Sequence, residues 1–201
     1  NALLTVITGT RNSALGVGAL QLTTASDNVG IGYHALDTCA GGSNNTAVGT
    51  EAMDANTSGS ANVAVGYRAL DSNTTADNNV AIGQSALGLN TTGTANVAIG
   101  HNALDANTTA SFNFAGGKDA LGANTTGAEN VAIGYLALGN NTTGTHNVAV
   151  GSSDGASGAT LGTNDTGSNN TALGMQSLGS NTSADDNTAV GYQALKANTT
   201  G

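Results

Sequence analysis

A string of Asn, a small or β-branched residue, Ala, an aliphatic and Gly opens at Asn12, Asn28, Asn45, Asn62, Asn79, Asn96, Asn113, Asn130, Asn147, Asn170 and Asn187, mostly 17 residues apart. A unit this short cannot bury an apolar face alone, so self-similarity at a fixed period specifies stacked coils. The chain is therefore expected to be all-β, a parallel β-solenoid of 17-residue coils.

Numbering the leading Asn as position 0, position 2 is Ala in ten of eleven copies, position 3 is aliphatic in ten, and position 4 is always Gly. This predicts a short strand ended by glycine. Positions 7 and 8 read Ala-Leu in most copies, as in Ala69-Leu70 and Ala103-Leu104, and a second short strand is expected there. Positions 11 to 14 read Asn-Thr-Thr-Gly in the consensus, as in Asn90 to Gly93, and those residue types form turns. Position 9 exchanges Asp with Gly, which points to left-handed or Asx-type turn geometry more than to charge. Glycine at every position 4 and β-branched residues beside it oppose helix.

Stacking places like residues above one another at the strand spacing of ~4.8 Å. The asparagines at positions 0 and 11 then become amide ladders that satisfy buried polar groups and fix register. Asn45, Asn62, Asn79, Asn96, Asn130 and Asn147 form the first ladder, with Gly49, Gly66, Gly83, Gly100, Gly134 and Gly151 as the structural glycine column. Strand alternation puts positions 1 and 3 on one face and position 2 on the other. With Val63, Val65, Val97 and Ile99 pointing inward, Ala64 and Ala98 point outward, and an outward alanine column implies a second contact. The expectation is an oligomer, most simply a homotrimer about an axis. The four tyrosines, Tyr33, Tyr67, Tyr135 and Tyr192, share position 5 with Lys, His and Thr, so they belong at a partly exposed rim.

Composition narrows the function classes. Four basic residues against 13 acidic ones, a net charge of −9, exclude the clustered cations that phosphate binding needs, so no nucleic-acid partner is expected. Apolar runs are a few residues long, too short to cross a bilayer, so no membrane insertion is expected. Cys39 is the one cysteine, so the chain has no internal disulfide.

Three departures punctuate the array. The copy at Asn113 exchanges its aliphatic for Gly116, with Phe114 expected to fill the volume. The copy at Asn147 carries six extra residues within Ser152 to Ala159, read as a loop bulging from one turn. Asn12 to Asn28 spans 16 residues, a one-residue deletion assigned to a turn. Residues 1 to 11 keep the register, with Ala2-Leu3 at positions 7 and 8 and Thr8-Gly9 at 13 and 14, and Gly201 stands at position 14. One continuous array, 1–201, of about 12 coils is expected, cut from a longer fibre.

Chemistry is sparse. His34, His101 and His146 occupy different repeat positions and cannot form one cluster by stacking. Catalytic triads, Cys-X-X-Cys pairs and phosphate loops are missing from the sequence, so neither enzyme activity nor a cofactor is expected. Asp37, Asp54 and Asp71 fall in successive coils and are the candidate Ca²⁺ ligands, although Gly88 interrupts the column. Asn-Thr-Thr and Asn-Thr-Ser match the glycosylation acceptor pattern at Asn56, Asn73, Asn90, Asn107, Asn124, Asn141, Asn181 and Asn198, but glycans on consecutive coils would collide. The Thr columns at positions 12 and 13, including Thr57, Thr74, Thr91, Thr108, Thr125 and Thr142, raise an ice-binding alternative.

The strings Asn-Val-Ala-Val-Gly-Tyr (62 to 67), Asn-Val-Ala-Ile-Gly-Tyr (130 to 135) and Asn-Thr-Ala-Val-Gly-Tyr-Gln-Ala-Leu (187 to 195) resemble the head repeats of YadA-type trimeric autotransporter adhesins and related arrays in phage tail fibres. The resemblance implies a trimeric left-handed parallel β-roll, extracellular, on a cell surface or virion. It implies a structural and adhesive role, with a host surface receptor or glycan as partner.

Overall fold

The computed structural model describes residues 5–6, 9–155 and 158–199. The expectations for Ala2-Leu3 and Thr8, and the last two residues of the final turn, lie outside them. The fold is all-β: eleven parallel strands of three residues form one sheet, each from a successive coil, from Ser13–Leu15 through Val29–Ile31, Thr46–Val48, Val63–Val65, Val80–Ile82, Val97–Ile99, Phe114–Gly116, Val131–Ile133, Val148–Val150 and Thr171–Leu173 to Thr188–Val190. Thr5–Val6 pairs in parallel with Leu22–Thr23 in a second, two-stranded sheet. The register is the repeat itself, with Ala64 beside Ala81 and Ala81 beside Ala98.

Coil-to-coil bonding continues around the circumference, beyond the strand. Within the coil at Asn62, Val63 N donates to Asn79 O at 2.9 Å, Leu70 N to Ala86 O at 2.9 Å and Thr74 N to Thr91 O at 3.2 Å. Two intracoil turns, Ala69 N to Gly66 O at 3.3 Å and Asn73 N to Leu70 O at 3.2 Å, occupy further backbone groups. Backbone polar groups in a core this thin must be paired in this way.

The expected second strand at positions 7 and 8 is a turn. Ala69 and Leu70, like Ala103 and Leu104, are both fully buried, and regular alternation cannot turn two consecutive side chains inward. The backbone resolves the conflict by turning left-handed at position 8, with Leu70 and Leu104 each at φ 54, after another left-handed residue at position 6, Arg68 at φ 54. A third lies at position 16, as in Ala95 at φ 55. Position 9 lies in a turn, as at Asp54, Asp71 and Gly88, but is not left-handed, so the left-handed half of the reading of the Asp/Gly exchange fails. At Gly88 the space a side chain would take is used by the next coil, since a Cβ there would lie 2.6 Å from an Asp105 carboxylate oxygen.

The facing of the strand is also opposite to expectation. Ala64 and Ala98 are fully buried, whereas Ile99 is 42% exposed and Val65 36%. A coil this narrow has room on its strand wall for a methyl group, because the leucines of position 8 fill the interior from the opposite side. The outward alanine column, and the argument for partner chains drawn from it, therefore fail. An exposed aliphatic column replaces them.

The irregular coils behave as their turns allow. Asn12 Nδ2 donates to Ala25 O at 2.8 Å as Asn28 Nδ2 does to Gly42 O at 2.9 Å, so the missing residue falls between Thr23 and Ala25, within a turn. The Phe114 ring edge lies 3.2 Å from where a Cβ on Gly116 would stand, filling that volume on the outer face. Beyond the insertion, Leu161 N bonds Ser177 O at 3.0 Å and the stack resumes.

Candidate functional site

Three surfaces carry the chemistry of the array: the asparagine interior, the aliphatic stripe, and the acidic corner at position 9. In the interior, both asparagine columns are wholly buried through most of the stack. At position 0, Asn96 N donates to Asn79 Oδ1 at 2.9 Å, and Asn113 N to Asn96 Oδ1 at 3.0 Å. At position 11, Asn107 Nδ2 donates to Asn90 Oδ1 at 2.8 Å. The columns converge, since Ala110 O accepts from Asn96 Nδ2 at 2.8 Å and from Asn107 Nδ2 at 3.0 Å. Asn45, Asn62, Asn79, Asn130 and Asn147 repeat the position-0 pattern. Glycan attachment at the position-11 asparagines from Asn56 to Asn181 is incompatible with this buried, bonded state.

Cys39 takes one slot of the second column. Its Sγ donates to Gly42 O at 3.1 Å, and Asn56 Nδ2 reaches Sγ at 3.7 Å. Burial pushes the Cys39 thiol up from its ordinary value, the opposite of what a nucleophilic cysteine needs. A further ladder runs through position 15, where Ser43 N donates to Ser60 Oγ at 3.2 Å and Thr94 N to Ser111 Oγ at 2.9 Å. Its residue types vary too much for the sequence to announce it.

The threonine columns divide. Position-12 hydroxyls donate to the next coil, as Thr91 Oγ1 does to Thr108 O at 3.0 Å, so they are committed to the stack. Position-13 threonines such as Thr92 and Thr109 are exposed. A two-column ice-matching face is thereby reduced to one column of wholly exposed residues.

The aliphatic stripe runs the length of the main sheet. Position 3 contributes Ile31, Val65, Ile82, Ile99, Ile133 and Leu173, all exposed, and exposed tyrosines of position 5 flank it. Neither position 1 nor position 3 carries a charge in any copy. Lys118 Nζ lies 5.5 Å from the Tyr135 ring centre, so even the rim cation packs on an aromatic face.

At the acidic corner, Asp71 is taken by Arg68, whose guanidinium lies 2.7 Å away. The candidate calcium trio is not assembled as one site. Instead one donor atom each from His34, Asp37 and Asp54 lie within 4.8 Å of one another. Burial, then the carboxylates of Asp37 and Asp71, raise the pKa of Asp54, and burial chiefly raises that of Asp105. A shallow groove lined by Arg68, Asp71, Ser85, Gly88 and Asp105 marks where glycine interrupts the acidic column.

These two raised acids fix a pH dependence. Above 3.8, the ordinary aspartate value, and up to the folded pKa, the native chain holds more protons than the unfolded one. Their contribution therefore favours folding as pH falls through that window, and ionisation weakens it as pH rises. Asp54→Asn and Asp105→Asn should each stabilise the chain at pH 7 by less than about 1 kcal/mol, since solvent screens half-exposed groups. Urea melts at pH 7 and pH 4 check this: a gain at pH 7 that vanishes at pH 4 is expected, and a loss at pH 7 contradicts it.

No protein-family model, curated protein or solved structure matches the chain in comparison. Among the described residues no helix is long and apolar enough to cross a membrane.

Proposed function

We propose that this chain is a rod-forming segment of an extracellular fibre, joined to copies of itself along the aliphatic stripe, and that its work is reach and attachment. The uncharged, exposed column of Val, Ile and Leu along the main sheet carries this reading, since soluble proteins rarely leave so continuous an apolar surface uncovered. A second copy of the chain is the occupant that fits best. Its own stripe repeats at the same rise, so the two match coil for coil, which an irregular partner surface cannot do. A cyclic arrangement buries every stripe equally, and a trimer is the form consistent with the resemblance to adhesin heads and tail fibres. Cell surface or virion is the corresponding location, with a host receptor or glycan as the eventual target.

Solution mass tests the reading. Multi-angle light scattering of the 201-residue chain should give about three times the 19.4 kDa protomer mass. Placing lysines in the stripe with Ile82→Lys and Ile99→Lys should return the monomer mass with an unchanged circular dichroism spectrum. A parent chain that is monomeric at high concentration overturns the self-assembly.

A further inference from the structure

We propose that His34, Asp37 and Asp54 bind one divalent transition-metal ion, with zinc as the representative. His34 and Asp37 occupy positions 6 and 9 of one coil, and Asp54 is position 9 of the next, so stacking brings the third ligand into place. His34 Nδ1 lies 2.7 Å from Asp37 Oδ2. The other oxygen, Asp37 Oδ1, is shut off from solvent and has no hydrogen-bond partner. A buried carboxylate oxygen without a partner is costly unless a proton or cation meets it.

The surrounding charges do not meet it. Glu51 and Asp71 add negative charge beside Asp54, and Arg68, the nearby cation, is engaged by Asp71 at 2.7 Å and Glu51 at 3.5 Å. A divalent ion held between His34, Asp37 and Asp54 would supply the positive charge that the carboxylates lack. The donor set is one imidazole nitrogen and carboxylate oxygens. That mixture suits zinc, cobalt or nickel, while calcium takes six to eight oxygens. Tetrahedral zinc with bonds near 2.0–2.1 Å places its donors ~3.3 Å apart. The three donors already lie within 4.8 Å of one another, and His34 Nδ1 and Asp37 Oδ2, now 2.7 Å apart, would part slightly to admit the ion. Three protein ligands leave a coordination position for water. Among the described residues this set occurs once, and position 6 is histidine in no other copy of the repeat.

The experiment uses the chelator-treated 201-residue chain. Co²⁺ titration should give visible absorption bands saturating at one ion per chain, and Zn²⁺ at about a hundred times its Kd should raise Tm by on the order of 5 °C. Ca²⁺ and Mg²⁺ should leave Tm unchanged. Both effects should be lost in His34→Asn, which retains a residue tolerant of the left-handed φ of 52, and in Asp54→Asn, which retains shape. His101→Asn should behave as the parent. Missing bands, bands that persist in both site variants as an adventitious ion would give, or an equal response to Ca²⁺ would each overturn the proposal.

Discussion

Gly100→Ala should cost about 2–6 kcal/mol, a large effect for a single methyl group. The backbone at Gly100 has φ +137, a region that side-chain-bearing residues rarely enter, and forcing one there costs ~1–3 kcal/mol. The methyl would also stand 2.6 Å from the carbonyl carbon and oxygen of Gly117 in the next coil. Those atoms are backbone held in the stack, so relief requires parting two coils, and overpacking of this kind costs ~1–3 kcal/mol more. Two comparisons separate the contributions. Gly191→Ala meets no atom within 4 Å at φ +123, so it should show the conformational cost alone. Gly41→Ala has its nearest neighbour at 3.7 Å and no left-handed φ, and should be neutral or slightly stabilising. Denaturant midpoints for the three variants, expected in the order Gly41, Gly191, Gly100, provide the check. A Gly100→Ala chain as stable as its parent would contradict the close approach of these strands.

The same glycine column explains why the architecture was legible in the sequence. A residue that is glycine in all eleven copies reports a backbone demand that is independent of side-chain packing, and the buried asparagines report a polar demand just as strict. Period, strand, two turns, ladders and the turn-borne deletion follow from those columns. Facing did not follow, because Val-Ala-Val and Val-Ala-Ile are apolar on both sides of the strand, and alternation alone gives no sign for inside. Volume decides it. The core must hold the Leu70 and Leu104 column together with its strand wall, and Val65 or Ile99 added to that interior would overfill it.

A sharper clue was the Ala-Leu pair. Two successive apolar residues, recurring where the chain must turn, mark consecutive inward side chains, and these require a left-handed residue rather than a strand. Leucine is a poor predictor of that conformation because it is tolerated there only when burial outweighs the strain, which costs roughly 1–2 kcal/mol. The grouping of His34 with Asp37 and Asp54 was hidden for another reason. Stacking aligns like positions, whereas these donors come from positions 6 and 9 of two coils, so no single column of the repeat displays them together.

Asn96→Ala should cost about 3 kcal/mol, and the direction of the ladder says why. Asn96 Oδ1 accepts from Asn113 N at 3.0 Å, and its Nδ2 donates to Ala110 O at 2.8 Å, so one side chain links two coils. Truncation leaves the Asn113 N–H buried without its acceptor, a loss of ~1–3 kcal/mol, and opens a small void. Ala110 O still accepts from Asn107 Nδ2 at 3.0 Å, which limits the damage on that side. Exposed Asn140→Ala is the matched control, expected near zero. Asn96→Asp keeps the shape and the acceptor but loses the donor, setting a buried carboxylate against a carbonyl oxygen. It should therefore be at least as destabilising as alanine at pH 7, and should recover as acid restores a donating proton. Cys39→Asn runs the other way: an amide there can donate to Gly42 O and accept from Asn56 Nδ2 in place of a 3.7 Å sulfur contact, for a gain of about 1 kcal/mol. Thermal and urea melts of the four variants measure the ladder directly, and equal stabilities for Asn96→Ala and Asn140→Ala would reduce the asparagine columns to passive filling.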